Sequence, residues 1–284
     1  MKKTNNGFRI LIACTLLLSA IILNSCSKTM QDKSASVQDN AVDDAIAAAT
    51  PIALWNFDSS WTEAKQHLKG VAHNKAKFSS TSQAHMGKAA FLSPDSGYVS
   101  YNSAGTALPN LTTGLTVDFW VYAYPKEGGA QCVWCLPQTG AFWPDHHVLL
   151  DAYNSSQGDS ALIKVMFKAN KAVDYNEQWT VVGGIPNFYH HWSHVQYSYN
   201  GSTSKYTLKV NGHKYFDAVT LYDRGDSATR QPLGNLVANP GTHGILVGAF
   251  QNTWDPALFG PRETWMLGFK GRVDQLKVYD TALF

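Results

Sequence analysis

Short segments in which apolar and polar residues alternate recur along the chain, and they constrain its fold more than any other feature. Val195, Tyr197 and Tyr199 share one parity while the residues between them are polar, which is the period of a half-buried strand. A second such segment ends at Asn211-Gly212, a pair that tolerates the positive φ angles of a tight hairpin turn. Similar runs recur between clusters of Gly, Pro, Asn and Ser, and no long segment has the period of a helix. The sequence therefore predicts an all-β sandwich or barrel with few, short helices.

The N-terminus has the pattern of an exported lipoprotein. A basic start precedes an apolar run over residues 10–23, which is shorter than the roughly 20 apolar residues that a membrane-spanning helix needs. The run ends at Leu-Asn-Ser-Cys, which resembles the lipobox of bacterial lipoproteins. We therefore predict a signal peptide over residues 1–25 and lipidation of Cys26, with an ordinary secretory signal as the alternative. The acyl chains would hold the protein at the cell envelope, and we expect this to be the outer membrane of a Gram-negative bacterium.

Composition divides the rest of the chain in two. Residues 26–50 are small and polar and contain no aromatic side chain, so we expect a lipid anchor followed by a flexible tether. Residues 51–284 are dense in Trp, Tyr, Phe, Gly and Pro and are long enough for one large domain. Loss of the signal peptide removes three of the 23 basic residues and leaves 20 against 21 acidic ones. Without a basic surface, nucleic acid is not an expected partner.

Several segments, in this order, resemble the laminin G-like module of the concanavalin A-like lectin and glucanase superfamily. They are LTVDFWVYAYP, HHWSHVQYSYNG, YTLKVNGH, GILVGAF and FKGRVDQLKVYDTAL. The resemblance implies a jelly roll of two packed antiparallel sheets. Because free strand edges invite aggregation, we also expect IALWNF near the start to lie beside GRVDQLKVY at the end. Residues 125–147 and 217–241 are longer and more irregular than a minimal module, so we place function there.

The resemblance does not bring enzymatic activity with it. Glucanases of this superfamily carry paired carboxylates on one strand, commonly Glu-x-Asp-x-x-Glu, where period-2 spacing puts the acids on one face. None of the four glutamates of the mature chain lies in that pattern. Asp118 and Asp151 are single acids on predicted strands. We therefore expect a non-catalytic protein and keep a glycoside hydrolase or polysaccharide lyase without the usual motif as an alternative.

Two pairs of nearby residues resemble a redox pair and a zinc site, but strand geometry argues against both interpretations. Cys132 and Cys135 have a redox-like spacing, but in a strand they lie about 10 Å apart on opposite faces and stay thiols. If the segment turns instead, a local disulfide forms. The neighbours His146 and His147 point to opposite faces of a strand, so they do not readily bind one zinc ion.

Binding is the remaining interpretation, and the tryptophans suggest where. Sugar rings present C–H faces that pack on indoles, while neighbouring polar side chains satisfy the hydroxyls. Four tryptophans lie beside Pro, Asp, Asn or Glu in loop-like segments, and the alternative is that they fasten long loops to the sandwich. We predict a carbohydrate-binding protein, or alternatively an adhesion or assembly module for a protein partner. The predicted ligand-binding residues are Trp143, Asp145, His146, Trp179, Trp254 and Trp265.

One metal site is expected from the resemblance. Related jelly rolls hold a structural calcium ion through an aspartate of the last strand and backbone carbonyls, which assigns that role to Asp274. Asp58, near the first strand, and the backbone near Gly97 are the predicted co-ligands. The alternative is that Asp274 only accepts hydrogen bonds from neighbouring backbone N–H groups. No other cofactor is expected.

Overall fold

The computed structural model describes residues 45–102, 108–151, 159–169, 177–225, 228–239 and 244–284. The signal peptide, Cys26 and most of the tether lie outside these residues and stay predictions. No helix in the described part of the chain is long and apolar enough to cross a membrane. The described helices are short: one turn at 45–48, a 3-10 turn at Thr81–Gln83, and two helices at Gln251–Trp254 and Pro256–Phe259.

Two sheets form the domain, and each has eight strands among the described residues. Across the first sheet, the strands are β13 (His213–Thr220), β12 (Lys205–Val210), β11 (Trp192–Asn200), β6 (Gly114–Ala123), β16 (Gly271–Tyr279), β4 (Phe91–Ser93) and β3 (Lys77–Phe78), with β1 (Ala53–Trp55) also pairing with β16. Across the second sheet, they are β10 (Glu177–Ile185), β9 (Ala161–Lys168), β8 (His146–Asp151), β7 (Ala130–Leu136), β14 (Ile245–Val247), β5 (Tyr98–Tyr101) and β2 (Gly70–His73), with β15 (Met266–Leu267) on β7.

The all-β prediction is confirmed. The named strands pair antiparallel throughout, apart from β15, which runs parallel to β7. Val195, Tyr197 and Tyr199 of β11 face the core between the sheets, as their parity predicts. Asn211 and Gly212 both have positive φ at the turn between β12 and β13. This is a two-sheet sandwich of the jelly-roll class.

The first and last strands of the domain lie side by side. Ala53 pairs with Val278 and Trp55 with Leu276 in antiparallel register. Trp55 is buried against Tyr101, with ring centroids 5.4 Å apart. The expected closure of the sandwich by its two ends is therefore confirmed.

Strand β7 departs from two sequence expectations. It lies inside residues 125–147, so that stretch contains a central buried strand rather than only an irregular insertion. A bulge between Cys132 and Trp134 lets Val133 and Trp134 both face the core. The expectation that the two cysteines lie on opposite faces is wrong, because the extra residue returns Cys135 to the outer face, where Cys132 already is. Both thiols are free and buried.

A second, smaller apolar layer covers the outer face of the second sheet. Cys132, Cys135, Leu149, Phe250 and Met266 belong to it. Two helices and the loop before β8 lie over this layer, and Asp255 begins the second helix by accepting a hydrogen bond from Ala257 N at 3.0 Å. Partly buried aromatic residues pack around its margin, namely Phe142, Trp179, Trp254 and Trp265.

Candidate functional site

A pocket of about 560 Å³ opens beside this outer layer. Strands β7 to β10 supply its floor and, with Trp179 of β10, part of its wall, and loops supply the rest. Three of the predicted ligand-binding tryptophans meet here, although they are far apart in sequence. The lining residues are Ala130, Trp143, Leu149, Asp151, Lys164, Gln178, Trp179, Arg224 and Trp265.

The three tryptophans form one continuous aromatic wall. The ring centroids of Trp143 and Trp179 are 5.3 Å apart with the rings nearly perpendicular, at 84°. Trp265 lies 5.7 Å from Trp143 at 35°. His147 supports the wall from below, 4.8 Å from Trp179, and is itself fully buried. Edge-to-face and tilted contacts of this kind hold the indoles in place while each stays partly accessible.

Strand parity explains how charged groups reach the floor. His147, Leu149 and Asp151 alternate along β8 and point to the outer face. Asp151 forms an ion pair with Lys164 of β9, and the aspartate side chain is 4% exposed against 23% for the lysine. The aspartate is therefore the more buried partner of this pair.

Gln178 lines the pocket but is occupied by its own surroundings. Its Nε2 donates to the carbonyl of Tyr222, and its Oε1 accepts a hydrogen bond from Trp179 N at 2.8 Å. Both the nitrogen and the oxygen of the amide are thus hydrogen-bonded to backbone groups. We infer that Gln178 positions Trp179 rather than a ligand.

His146 lies on the other side of the sheet, in the core. It is fully buried, and its Nε2 lies 2.6 Å from the hydroxyl of Tyr197. Burial lowers the pKa of His146 to about 3, so the ring is neutral. A ligand in the pocket cannot touch it, and we leave it out of the candidate site.

Two further predicted residues lie outside the pocket lining. Asp145 is buried, and its Oδ2 accepts a hydrogen bond from Asn239 N at 3.3 Å. Burial raises its pKa to about 7. Trp254 stacks on Phe259 with ring centroids 5.7 Å apart, so it packs the two short helices at 251–254 and 256–259 against each other.

The structure adds four polar residues that the binding prediction did not include: Asp151, Lys164, Gln178 and Arg224. Two of them left a signal in the sequence. Asp151 ends the apolar segment HVLL, and Lys164 interrupts the apolar segment ALIKVMF. A charged residue inside an apolar strand has to reach a partner or a surface. Arg224 lies on an irregular loop, where periodicity gives no such signal.

The predicted calcium site consists of two neighbouring carboxylates. Asp274 is buried, and its Oδ2 accepts hydrogen bonds from the backbone N–H groups of His85 and Met86, both at 3.0 Å. Asp58 accepts hydrogen bonds from the same loop, from Lys88 N and from Ala89 N at 3.3 Å. Burial, together with the charge of Asp58, raises the pKa of Asp274 to about 6.

These carboxylates fit calcium in charge and in ligand type, since calcium prefers oxygen ligands. The described residues contain no group of three His, Cys, Asp or Glu side chains arranged to hold a metal ion. Calcium takes six to eight oxygens, so the remaining ligands would have to be backbone carbonyls or water. The N–H contacts are those expected from the alternative role of Asp274, and calcium stays a prediction.

Comparison with known proteins reveals similar folds but no family. The sequence matches no protein-family model and no curated protein. The binding domain of botulinum neurotoxin serotype G matches 83% of this chain and 49% of that chain, with a TM-score of 0.53 and 8% identity. A structure of botulinum neurotoxin type C matches 87% and 50%, with a TM-score of 0.51 and 9% identity. Domain 4 of AbnA, an extracellular arabinanase from Geobacillus stearothermophilus, matches 83% and 95%, with a TM-score of 0.49 and 15% identity.

The likeness to the two toxins is one of fold. This chain spans about half the length of each toxin chain that it matches. Sequence identity this low does not carry a function from one protein to another. The comparison agrees with a two-sheet β-sandwich, whereas membership of the laminin G-like family stays a prediction.

Proposed function

We propose that this protein is a cell-envelope lipoprotein that binds a carbohydrate in the tryptophan-lined pocket without cleaving it. The observation that carries the proposal is the convergence of Trp143, Trp179 and Trp265 on one cavity. Indoles pack on the C–H faces of sugar rings, and a volume of about 560 Å³ lies in the range of small-molecule sites. The floor of the pocket is formed by residues of paired strands, from β7 to β10.

The charged residues support binding rather than hydrolysis. Glycosidases usually need two carboxyl groups about 5 to 9.5 Å apart, one on each side of the scissile bond. Asp151 is the one carboxylate among the described lining residues, its side chain is 4% exposed, and it forms an ion pair with Lys164. A general acid would instead need access to the leaving oxygen.

The similar folds are compatible with this proposal but do not carry it. Cell entry of botulinum neurotoxin type C depends on interaction with two ganglioside molecules. Gangliosides carry sugars, but this chain matches only 50% of that toxin chain, so the match does not place the ganglioside contacts in the sandwich. The choice of the pocket rests on the tryptophans of this chain.

Attachment to the envelope is proposed from the N-terminal sequence. Cys26 would carry the lipid, and the tether would leave the sandwich free to meet a polymer. Replacing Cys26 by Ser should move the protein from the membrane fraction to the soluble fraction. An unchanged distribution would contradict lipidation at this residue.

A glycan array tests the binding itself. We expect defined oligosaccharides to bind, and Trp143→Ala to weaken that binding about tenfold or more while the melting temperature changes little. Trp254→Ala is the matched control, because this tryptophan packs on Phe259 outside the pocket. A blank array would favour a protein partner, and release of reducing ends from a bound polysaccharide would show an enzyme.

A further inference from the structure

Two rows of cross-strand neighbours lie on the outer face of the first sheet, at the end of β6. Val121 and Ala123 face the core, so the tyrosines that follow them point outward. Each row has one of these tyrosines in the middle, flanked on one side by an aromatic ring and on the other by a cationic side chain. We call the six residues the tyrosine patch: Trp192, Tyr122 and Arg272 in one row, and His190, Tyr124 and Lys270 in the other. The tryptophan-lined pocket lies on the second sheet, so the patch is a separate surface.

Arg272 carries a positive charge that is buried without a partner. The residue is 8% exposed, and its Nε atom is buried and has no hydrogen bond to any described residue. None of the ion pairs within the described part of the chain includes it. Its guanidinium group lies 4.4 Å from the ring centroid of Tyr122, a contact that attracts the charge but accepts no hydrogen bond from Nε. Because burying an unpaired charge costs stability, the fold alone does not account for this side chain.

The chemical group that fits this environment is an oxyanion. A guanidinium group carries its N–H donors in a planar fork, which matches the two oxygens of one carboxylate. A second cation lies close by, since the Nζ atom of Lys270 is 5.3 Å from the ring centroid of Tyr124, and the rings of Tyr124 and Tyr122 are 5.5 Å apart. Lys270 is exposed. The patch therefore combines a buried arginine with an exposed lysine.

Trp192 supplies the apolar surface of the patch. Its ring lies 5.9 Å from that of Tyr122 at 71° and 5.5 Å from that of His85 at 55°, and the residue is partly exposed. These contacts hold the indole in the same row as Arg272. The C–H face of a sugar ring packs on an indole. A carboxylate bonded to a sugar ring would thus meet both the charge and the apolar surface of this row.

We propose that the tyrosine patch is a second binding site, in which the carboxylate of an acidic sugar binds the guanidinium group of Arg272 and the sugar ring packs against Trp192. This site does not depend on carbohydrate binding in the tryptophan-lined pocket, because the two lie on different sheets. With both sites occupied, one molecule would hold two parts of a polysaccharide, or two polysaccharide chains.

Matched polymers test the chemistry of the ligand by isothermal titration calorimetry. Polygalacturonate and its fully methyl-esterified form share rings and linkages but differ in charge. We expect polygalacturonate to bind ten or more times tighter, with an affinity that falls as salt is added. Polyglutamate carries carboxylates without sugar rings and should bind weakly. Equal binding of the two pectin forms, or binding of polyglutamate as tight as that of polygalacturonate, would overturn the inference.

Arg272→Met separates a binding role from a structural one. Methionine keeps an apolar stem and removes the unpaired charge, so the melting temperature should stay the same or rise, while the affinity for polygalacturonate should fall about tenfold or more. Lys75→Gln is the matched control, because it removes one positive charge from an exposed turn after β2 and should leave the affinity unchanged. Unchanged affinity in Arg272→Met, or an equal loss in Lys75→Gln, would overturn the inference.

The two sites can fail separately. Loss of neutral-glycan binding in Trp143→Ala reports on the tryptophan-lined pocket, and loss of polygalacturonate binding in Arg272→Met reports on the tyrosine patch. Binding of polygalacturonate should persist in Trp143→Ala. If Trp143→Ala abolishes it, the acidic polymer occupies the pocket, and the second site is overturned while the proposed function stands.

Discussion

At the scale of single residues, the sandwich contains carboxylates whose environments push their pKa values in opposite directions. Burial raises the pKa of Asp145 to about 7. Burial acts on Asp118 as well, but the hydrogen bond and charge of His194, 3.1 Å away, hold its pKa below the ordinary value. The two residues should therefore make stability depend on pH with opposite signs.

We predict that Asp145→Asn stabilises the protein at pH 8. The folded state holds the Asp145 proton up to about pH 7, whereas an unfolded chain loses it near pH 4, so the wild type loses stability as pH rises through this window. Asparagine removes that loss, and we expect a gain of about 1–3 kcal/mol at pH 8 with little change at pH 4. Urea unfolding at both pH values measures it.

Asp118→Asn is the matched control with the opposite sign. The lowered pKa of Asp118 means that its stabilisation is present above about pH 4 and disappears as pH falls through the folded-state value. This variant should lose stability at pH 8. An Asp145→Asn protein with the same pH dependence as the wild type would contradict the prediction for Asp145.

Composition and neighbouring residues in the sequence singled out Trp143, Trp179 and Trp265, and the structure brings all three together at one pocket. Their role in binding a ligand stays a prediction. Asp145 and His146 share the segment of Trp143 but are buried, because the chain enters β8 at His146. From these two adjacent polar residues alone, the sequence does not reveal which alternate positions of the strand face the core. Their closeness in sequence to Trp143 therefore did not predict that they line the pocket.

At the scale of elements, the approach of β15 to the start of β7 connects the sheet to the pocket. Ala130 N donates a hydrogen bond to the carbonyl of Trp265 at 2.8 Å. Gly129 lies beside the same carbonyl, and a Cβ atom at this position would come within 2.2 Å of that oxygen. The absence of a side chain at Gly129 thus allows Trp265 to reach the pocket wall.

We predict that Gly129→Ala displaces Trp265. The contact is with backbone rather than a flexible side chain, so the segment at 265–267 has to move away, at a cost of about 1–3 kcal/mol in stability. Glycan binding per folded molecule should fall as well. Gly183→Ala is the control, because its Cβ would meet Leu162 at an ordinary 3.5 Å. Equal stability and binding in the two variants would show that Gly129 has no special role.

Several strands could be predicted from the sequence, whereas the irregularity within β7 could not. Alternation and the Asn-Gly turn predicted β11, β12 and β13. The bulge in β7 was not predictable, because Val133 and Trp134 are both apolar and a strand buried on both faces has no alternation to interrupt. The face of the sheet on which Cys135 lies depends on that bulge. Regular strand periodicity therefore predicted the wrong face for this cysteine.

At the scale of the whole molecule, three distant segments meet at the carboxylates of Asp58 and Asp274. Asp58 follows β1, Asp274 lies in β16, and the loop at 85–89 donates backbone N–H groups to both. Gly87 in this loop has a φ of +69°, and a Cβ there would come within 2.1 Å of the Asp58 carboxylate. The start and end of the domain are thus joined by a loop that fits closely around two negative charges.

A bound cation would replace the repulsion between these two carboxylates by the attraction of both to the metal. Without one, the carboxylates repel each other, and Asp274 keeps its proton up to about pH 6. Calcium would compete with the proton for the oxygens of Asp274 and would favour the ionised form of that carboxyl group. The stability added by calcium should therefore rise as pH rises through about 6.

We predict that calcium raises the melting temperature at pH 8 and that EDTA lowers it, because an ion that binds only the folded state stabilises it by mass action. The gain should shrink at pH 5, where Asp274 is protonated, and should disappear in Asp274→Asn. Asp95→Asn is the control: this carboxylate is 61% exposed and pairs with Lys126, so its removal should leave the response to calcium intact. Differential scanning calorimetry measures each shift. A melting temperature that neither EDTA nor added calcium moves would leave Asp274 with its other role, in which it holds the loop at 85–89 through backbone N–H groups alone.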